Sequence, residues 1–188
     1  MQRTASTQGG LAVWFTGLSG AGKTALCRAL EPKLSALGYA VEVLDADQIR
    51  QHLSRDLGFS KADRDENVFR IGCLARSLVL QDKIVLVAAI SPYREARLQA
   101  REQIGSFLEV YVNASLETCI RRDPKGLYAR ALAGKIECFT GIDDPYERPL
   151  APEVECVTDS ESLAESAEKV LAAVSDAFQR GATVLGKA

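Results

Sequence analysis

One eight-residue run constrains this chain more than any other. Gly17-Leu18-Ser19-Gly20-Ala21-Gly22-Lys23-Thr24 fills every fixed position of the pattern G-x-x-x-x-G-K-[ST]. Leu11–Thr16 before it reads as a short buried strand. From Thr24 to about Leu37 apolar residues recur at helical spacing (Leu26, Leu30, Leu34, Leu37). A strand, a glycine loop and a helix in that order form a unit whose loop wraps a polyphosphate, with backbone N–H groups and the helix N-terminus aimed at anionic oxygens. Lys23 then reaches the β- and γ-phosphates, and the Thr24 hydroxyl suits Mg²⁺. Four fixed positions coincide by chance in roughly one chain of this length in a hundred. The run implies that the chain binds a nucleoside triphosphate.

The rest of the chain narrows the setting. Its 188 residues, 47% of them hydrophobic, suit one domain with a two-sided core. A net charge of -2 gives no electrostatic footprint for nucleic acid. No apolar run reaches the roughly 18 residues that span a bilayer, so no membrane partner is expected. Met1–Gly10 is polar and reads as a flexible lead-in without signal-peptide character, ahead of a single domain over 11–188. Cys27, Cys73, Cys119, Cys138 and Cys156 are odd in number and dispersed, with no C-x-x-C pair. That is the reduced pattern of a cytoplasmic protein. His52 is the sole histidine, too little for a multi-imidazole metal site, and a surface role is favoured over catalysis in a Ser-His-Asp arrangement.

Five aliphatic runs, Leu11–Thr16, Val41–Asp45, Ile84–Ile90, Phe107–Asn113 and Val154–Thr158, alternate with helical patterns. Near-continuous runs of this kind fit parallel strands covered on both faces. The helical stripes are Val68, Ile71, Leu74, Ala75 and Leu78 within Asp63–Gln81, and Leu163, Ala167, Val170, Leu171, Val174 and Phe178 within Ser162–Phe178. Tyr93–Ile104 reads as a charged helix. The alternation predicts a three-layer α/β sandwich with a five-stranded parallel sheet. Arg121–Pro152 breaks the pattern: it has no clear strand, several cations and Phe139, which suits a mobile lid closing over an anion.

A phosphate loop alone does not separate a kinase from a switch or a motor. Asp45-Ala46-Asp47 at the end of the second strand does more, because ligands in open α/β sheets sit beyond the carboxyl ends of the strands. One carboxylate can serve Mg²⁺ or its water while the other meets an acceptor hydroxyl, the two roles that phosphoryl transfer needs. Arg50, Arg55, Arg64 and Arg70 follow, with Phe59 and Asn67 among them. Arginine binds phosphate or sulfate through paired N–H groups, and a ring stacks on a purine. At least two of the four arginines are expected to serve only surface pairs with Asp56, Asp63, Asp65 or Glu66.

Taken together, Gly17–Thr24, Asp45–Arg50, Gly58-Phe59-Ser60, Asp63-Arg64, Asn67 with Arg70-Ile71-Gly72, Ile90–Arg94, Asp123–Tyr128 and Phe139–Tyr146 resemble the adenylyl-sulfate kinase (APS kinase) family, from about Leu11 to Pro152. The resemblance implies a P-loop kinase fold and ATP-dependent phosphorylation of the 3′-hydroxyl of adenosine 5′-phosphosulfate. It also implies Mg²⁺, a homodimer and association with ATP sulfurylase. Residue by residue, it gives Lys23 and Thr24 the ATP phosphates and the metal, Asp47 the 3′-hydroxyl, and Asp45 the water of the metal. Arg50, Arg64 and Asn67 would grip the phosphosulfate end, with Ile90, Ser91 and Leu127 also in substrate contact. Phe59 and Phe139 would sandwich the adenine, Phe139 arriving as the lid (about 121–152) folds over, and Lys125 would bring charge to the transferred phosphate.

In bacterial members of that family the serine of the Ile-Ser-Pro-Tyr segment is commonly assigned as a phosphoenzyme intermediate, which makes Ser91 a catalytic candidate. No neighbouring base activates it and in-line transfer needs no covalent stop, so a contact or structural role is favoured. Two positions depart from the family pattern. Ala46 stands where Gly is usual, and Ile120 replaces an acidic residue. Rival readings are a gluconate- or shikimate-type kinase, a GTP switch and a nucleotide-binding scaffold. The sugar-acid kinases need no stacking rings. A switch would carry N-K-x-D beside the D-x-x-G at Asp123–Gly126, and a scaffold would tolerate loss of Lys23 or the aspartates.

Overall fold

The computed structural model describes residues 9–185, with side chains described through residue 180. Of the expected flexible lead-in, residues 1–8 lie outside the described residues. The elements in chain order are β1 (Leu11–Thr16), α1 (Lys23–Ala36), β2 (Val41–Asp45), α2 (Ala46–His52), α3 (Lys61–Val79) and β3 (Ile84–Ala88). They continue with α4 (Arg94–Ile104), β4 (Phe107–Asn113), α5 (Leu116–Arg122), α6 (Leu127–Leu132), β5 (Val154–Val157) and α7 (Leu163–Leu185). The strands form one parallel sheet in the order β2-β3-β1-β4-β5. This is the expected α/β class.

Burial explains why the strands read as unbroken apolar runs. All six residues of β1 are buried. Leu11, Val13 and Phe15 join the cluster that holds Leu26 and Leu30 of α1 with Val170 and Val174 of α7. Ala12 and Trp14 join the opposite cluster with Val68 and Ile71 of α3 and Ala96 and Ala100 of α4. Each large side chain removed from water in this way contributes about 1.5–3 kcal/mol. Helices therefore cover both faces, and the sheet is held as the middle of three layers.

β1 pairs with β3 on one side and β4 on the other, so the order of strands reverses around it. A crevice opens beyond its carboxyl end, which is where the glycine loop leaves the sheet. Five expectations need correction. Leu37 is the exposed C-cap of α1 rather than part of its buried stripe, and β5 stops at Val157 rather than Thr158. β3 ends at Ala88 rather than Ile90, because Ala89 N–H bonds Phe15 O and the chain then turns away, with Ser91 at φ 41. Along α3, Val79 is buried while Leu74 is exposed, since Leu74 lies on the flank of the Val68, Ile71, Ala75, Val79 stripe. Leu163, at the start of α7, is likewise exposed.

Candidate functional site

Most helix starts here are occupied by the chain's own side chains. Asp45 caps α2 by accepting from Asp47 N–H, Ser60 and Asp63 form a reciprocal box at α3, and Ser115 caps α5. The start of α1 differs. Gly22 sits before it at φ 112 with no side-chain cap, and its first turn carries no acidic residue. The N–H groups at the start of this 14-residue helix are left for an external anion.

The loop before α1 keeps its shape through its carbonyls. Tyr128 Oη donates to Ser19 O at 3.0 Å, Thr158 Oγ1 to Ala21 O at 2.8 Å, and Lys23 Nζ to Gly17 O and Leu18 O at 2.8 and 2.7 Å. Arg122 braces the same region by donating to Thr158 O at 2.6 Å. Gly17, at φ 152, is required by space: a Cβ there would lie 2.4 Å from Val112 O. Tyr128 and Thr158 were not among the expected site residues. Their role depends on tertiary approach to the loop, which no local pattern encodes.

The carboxyl end of β3, the glycine loop, α2, the start of α3 and the 124–140 segment enclose a cavity of about 650 Å³. Ser19, Gly20, Gly22, Lys23 and Thr24 line one end. Asp47, Arg50, Phe59, Arg64, Asn67, Ile90 and Ser91 line it further along, and Lys125, Leu127 and Phe139 face them from the later segment. Gly17, Leu18, Ala21 and Asp45 lie behind this surface, the first three through loop carbonyls already described. Asp45 accepts from Thr24 Oγ1 at 2.9 Å. That hydroxyl and carboxylate form an oxygen-only pair beside the loop, the donor chemistry of a hard cation such as Mg²⁺. Among the described residues no group of three or more His, Cys, Asp or Glu side chains is placed to hold a metal, so phosphate and water would supply the remaining oxygens.

Charge in the cavity is arranged in pairs. Crowding of protein around the Lys23 ammonium lowers its pKa to about 8, with Asp47 pulling the other way. Lys125 donates to Asp47 across the cavity, joining the segment before α6 to α2. The Phe59 ring is exposed and carries two guanidinium groups, Arg50 at 4.3 Å and Arg64 at 5.6 Å from its centroid. Phe139 is buried and stands edge-on to Tyr128 at 5.0 Å. Thr140 Oγ1 and Asn67 Oδ1, both buried and both on residues lining this cavity, have no hydrogen-bond partner among the described residues.

Of the other two arginines, only Arg70 makes the expected surface pairs with acidic side chains, while Arg55 bonds a backbone carbonyl instead. Arg70 is bidentate to Asp56 and pairs with Glu66, and Arg55 donates to Gln51 O. Ser91 is buried, its Oγ accepting from Trp14 Nε1 at 3.0 Å and donating to Ala89 O at 3.4 Å. Asp123 accepts from Tyr128 and Ala129 N–H and so caps α6, a use unlike that of a switch D-x-x-G.

Comparison with known proteins agrees with this geometry. The family model for adenylylsulphate kinase matches residues 9–157. The adenylyl-sulfate kinase of Picosynechococcus is 59% identical over 162 residues, 86% of this chain and 92% of that protein. The enzyme of the same name from Microcystis aeruginosa is 60% identical over 163 residues, 87% of this chain and 90% of that protein. The APS kinase of Mycobacterium tuberculosis, solved in complex with AMPPNP and APS, superposes with a TM-score of 0.86 at 45% identity, covering 89% of this chain and 98% of that one. A family model over residues 9–157 and identities of this size over nearly the whole length of these relatives lead to one conclusion: the chain belongs to the adenylylsulphate kinase family.

Proposed function

We infer that this protein transfers the γ-phosphoryl group of ATP to the 3′-hydroxyl of adenosine 5′-phosphosulfate, giving ADP and 3′-phosphoadenosine 5′-phosphosulfate. The observation that carries the reading is the single cavity in which the loop of α1 and the Asp47, Arg50, Phe59, Arg64 wall face each other. In the transfer, the bond from the γ-phosphorus to the bridging oxygen of ADP breaks as a bond from the 3′-oxygen forms. The hydroxyl proton passes to the Asp47 carboxylate. The glycine loop and α1 N-terminus bind the triphosphate, and Lys23 turns from loop carbonyls to the β- and γ-phosphates. Thr24 and Asp45 would hold Mg²⁺, which supplies charge neutralisation at those phosphates when bound.

On the acceptor side, Phe59 and Phe139 are suited to the adenine, and Arg50, Arg64 and Asn67 to the phosphosulfate. Lys125 leaves Asp47 for the transferred phosphate as the 121–152 segment closes, excluding water. Leu127, Ile90 and Ser91 complete the contact surface. Ser91 acts there through its turn and not as a nucleophile, its hydroxyl being committed to Trp14 and Ala89. A cytoplasmic homodimer, associating with ATP sulfurylase, completes the reading on family grounds.

The test is Asp47→Asn. Transfer to adenosine 5′-phosphosulfate, followed by coupled ADP release, should fall by about 10²–10⁴-fold while nucleotide affinity stays within about threefold. Turnover at the wild-type rate would remove Asp47 from its role. Wild-type preference for gluconate or shikimate over adenosine 5′-phosphosulfate would overturn the acceptor itself.

A further inference from the structure

Arg64 is buried to 8% exposure on α3, and its three nitrogens are not equivalent. Nε donates to Phe59 O at 3.0 Å and Nη2 donates to Cys138 O. Among the described residues Nη1 has no partner in the protein. The guanidinium is therefore fixed on two sides and open on one, in a residue that lines the cavity. Such a group carries a full charge out of water and needs a counter-charge. Arg50 makes this harder, since it shares the Phe59 ring with Arg64 and is itself depressed in pKa by burial and then by that like charge.

Among the described residues, the one carboxylate in ion-pair contact with Arg64 is Asp144, at 3.5 Å from Nε. Asp144 does more than neutralise. Both its oxygens accept from Tyr93 Oη, at 3.0 and 2.9 Å, and Tyr93 is the residue that precedes α4. Its backbone carbonyl accepts from Gly141 N–H at 2.7 Å, closing the tight turn that carries Phe139. One residue thus joins α3 and the start of α4 through its carboxylate and the 139–144 turn through its backbone carbonyl.

We propose that Asp144 is a positioning residue for the acceptor: it holds Arg64 with Nη1 presented to the anionic end of adenosine 5′-phosphosulfate and locks the Phe139 turn to the same wall. The proposal rests on the reading of Arg64 as an anion-gripping residue. Removing the Asp144 charge leaves Arg64 buried without its counter-ion, and the guanidinium then swings toward water. Acceptor binding suffers, whereas the triphosphate end of the cavity is untouched.

Steady-state kinetics with each substrate varied in turn test this, alongside thermal melting. Asp144→Asn should raise KM for adenosine 5′-phosphosulfate about tenfold, with KM for ATP within about twofold and kcat within about threefold. Asp144→Glu should recover part of that loss. Tyr93→Phe, which keeps the Arg64 pair but removes the hydroxyl that both carboxylate oxygens accept from, should give a smaller rise of about threefold in the same KM. Arg64→Ala serves as the reference, and adding Asp144→Asn to it should cost less than about twofold more.

If Arg64→Ala leaves the acceptor KM unchanged, the reading of Arg64 fails. If Arg64→Ala raises it and Asp144→Asn does not, the positioning role alone is overturned. Equal rises in both KM values with a lowered melting temperature would also overturn it, marking Asp144 as a stabilising residue only.

Discussion

Lys23 shows how one residue can be tuned by packing against its own ordinary chemistry. Its ammonium is crowded by protein, so its pKa falls from 10.5 to about 8, and nearby Asp47 only partly offsets this. Below about 8 the free enzyme offers a cation to the triphosphate, and above it a growing fraction offers a neutral amine. Bound phosphates hold the proton in place. Nucleotide affinity is therefore expected to weaken, approaching tenfold per pH unit, as pH rises above about 8. Titration with a fluorescent nucleotide from pH 7 to 9.5 checks this, and a weakly binding Lys23→Met variant should show no such step. The sign for stability is opposite. Between about 8 and 10.5 the unfolded chain holds this proton more tightly, so the contribution of Lys23 to stability grows as pH rises.

At the scale of elements, the turn that carries Ser91 depends on a buried arginine that was not among the expected site residues. Arg97, on α4, donates to Ser91 O at 2.6 Å, to Glu147 O at 2.7 Å and to Glu109 Oε1 at 2.8 Å. It ties the left-handed turn after β3 to the end of the 139–147 segment and to β4. Arg97→Met should lower stability by about 3 kcal/mol, because Glu109 and two carbonyls lose their donor in a buried place. Denaturant unfolding measures this, and a value under about 0.5 kcal/mol would be the mark of a dispensable surface pair.

These ties also explain what the sequence made legible. The glycine loop, the five strands and the long helices carry local signals of glycine spacing and apolar periodicity, and they fold where those signals lie. Helices α2 and α6 are too short for a periodic stripe. Asp45 and Asp123 define them by accepting N–H groups from Asp47 and from Tyr128 and Ala129. The turn bearing Phe139 is held in the same way, Asp143 accepting from Cys138 and Phe139 N–H at 2.7 and 2.6 Å. Burial of Phe139 against Tyr128 follows from that turn and from α6, which is why no reading of residues in order locates it. The family resemblance singled out Arg50 and Arg64, but what Arg55 and Arg70 do instead was legible only once Gln51 O, Asp56 and Glu66 had been placed in space.

Across the whole molecule, the cradle and the acceptor wall come from separate crossovers on one rigid sheet. β1 carries the loop, its neighbour β3 leads to the Ser91 turn, and its neighbour β4 leads by way of α5 to Lys125. The edge strand β2 leads through α2 and α3 to Asp47, Arg50, Phe59 and Arg64. The middle strand therefore feels both ends of the reaction. Trp14 makes that observable, for it is the sole tryptophan, fully buried, with its indole N–H on Ser91 Oγ. The enzyme thus contains its own optical gauge. Adenosine 5′-phosphosulfate settling against the Ser91 turn should alter Trp14 emission, and Ser91→Ala should mute that change while leaving the protein folded. Native fluorescence alone would then read acceptor occupancy in real time, with no dye attached and no turnover required.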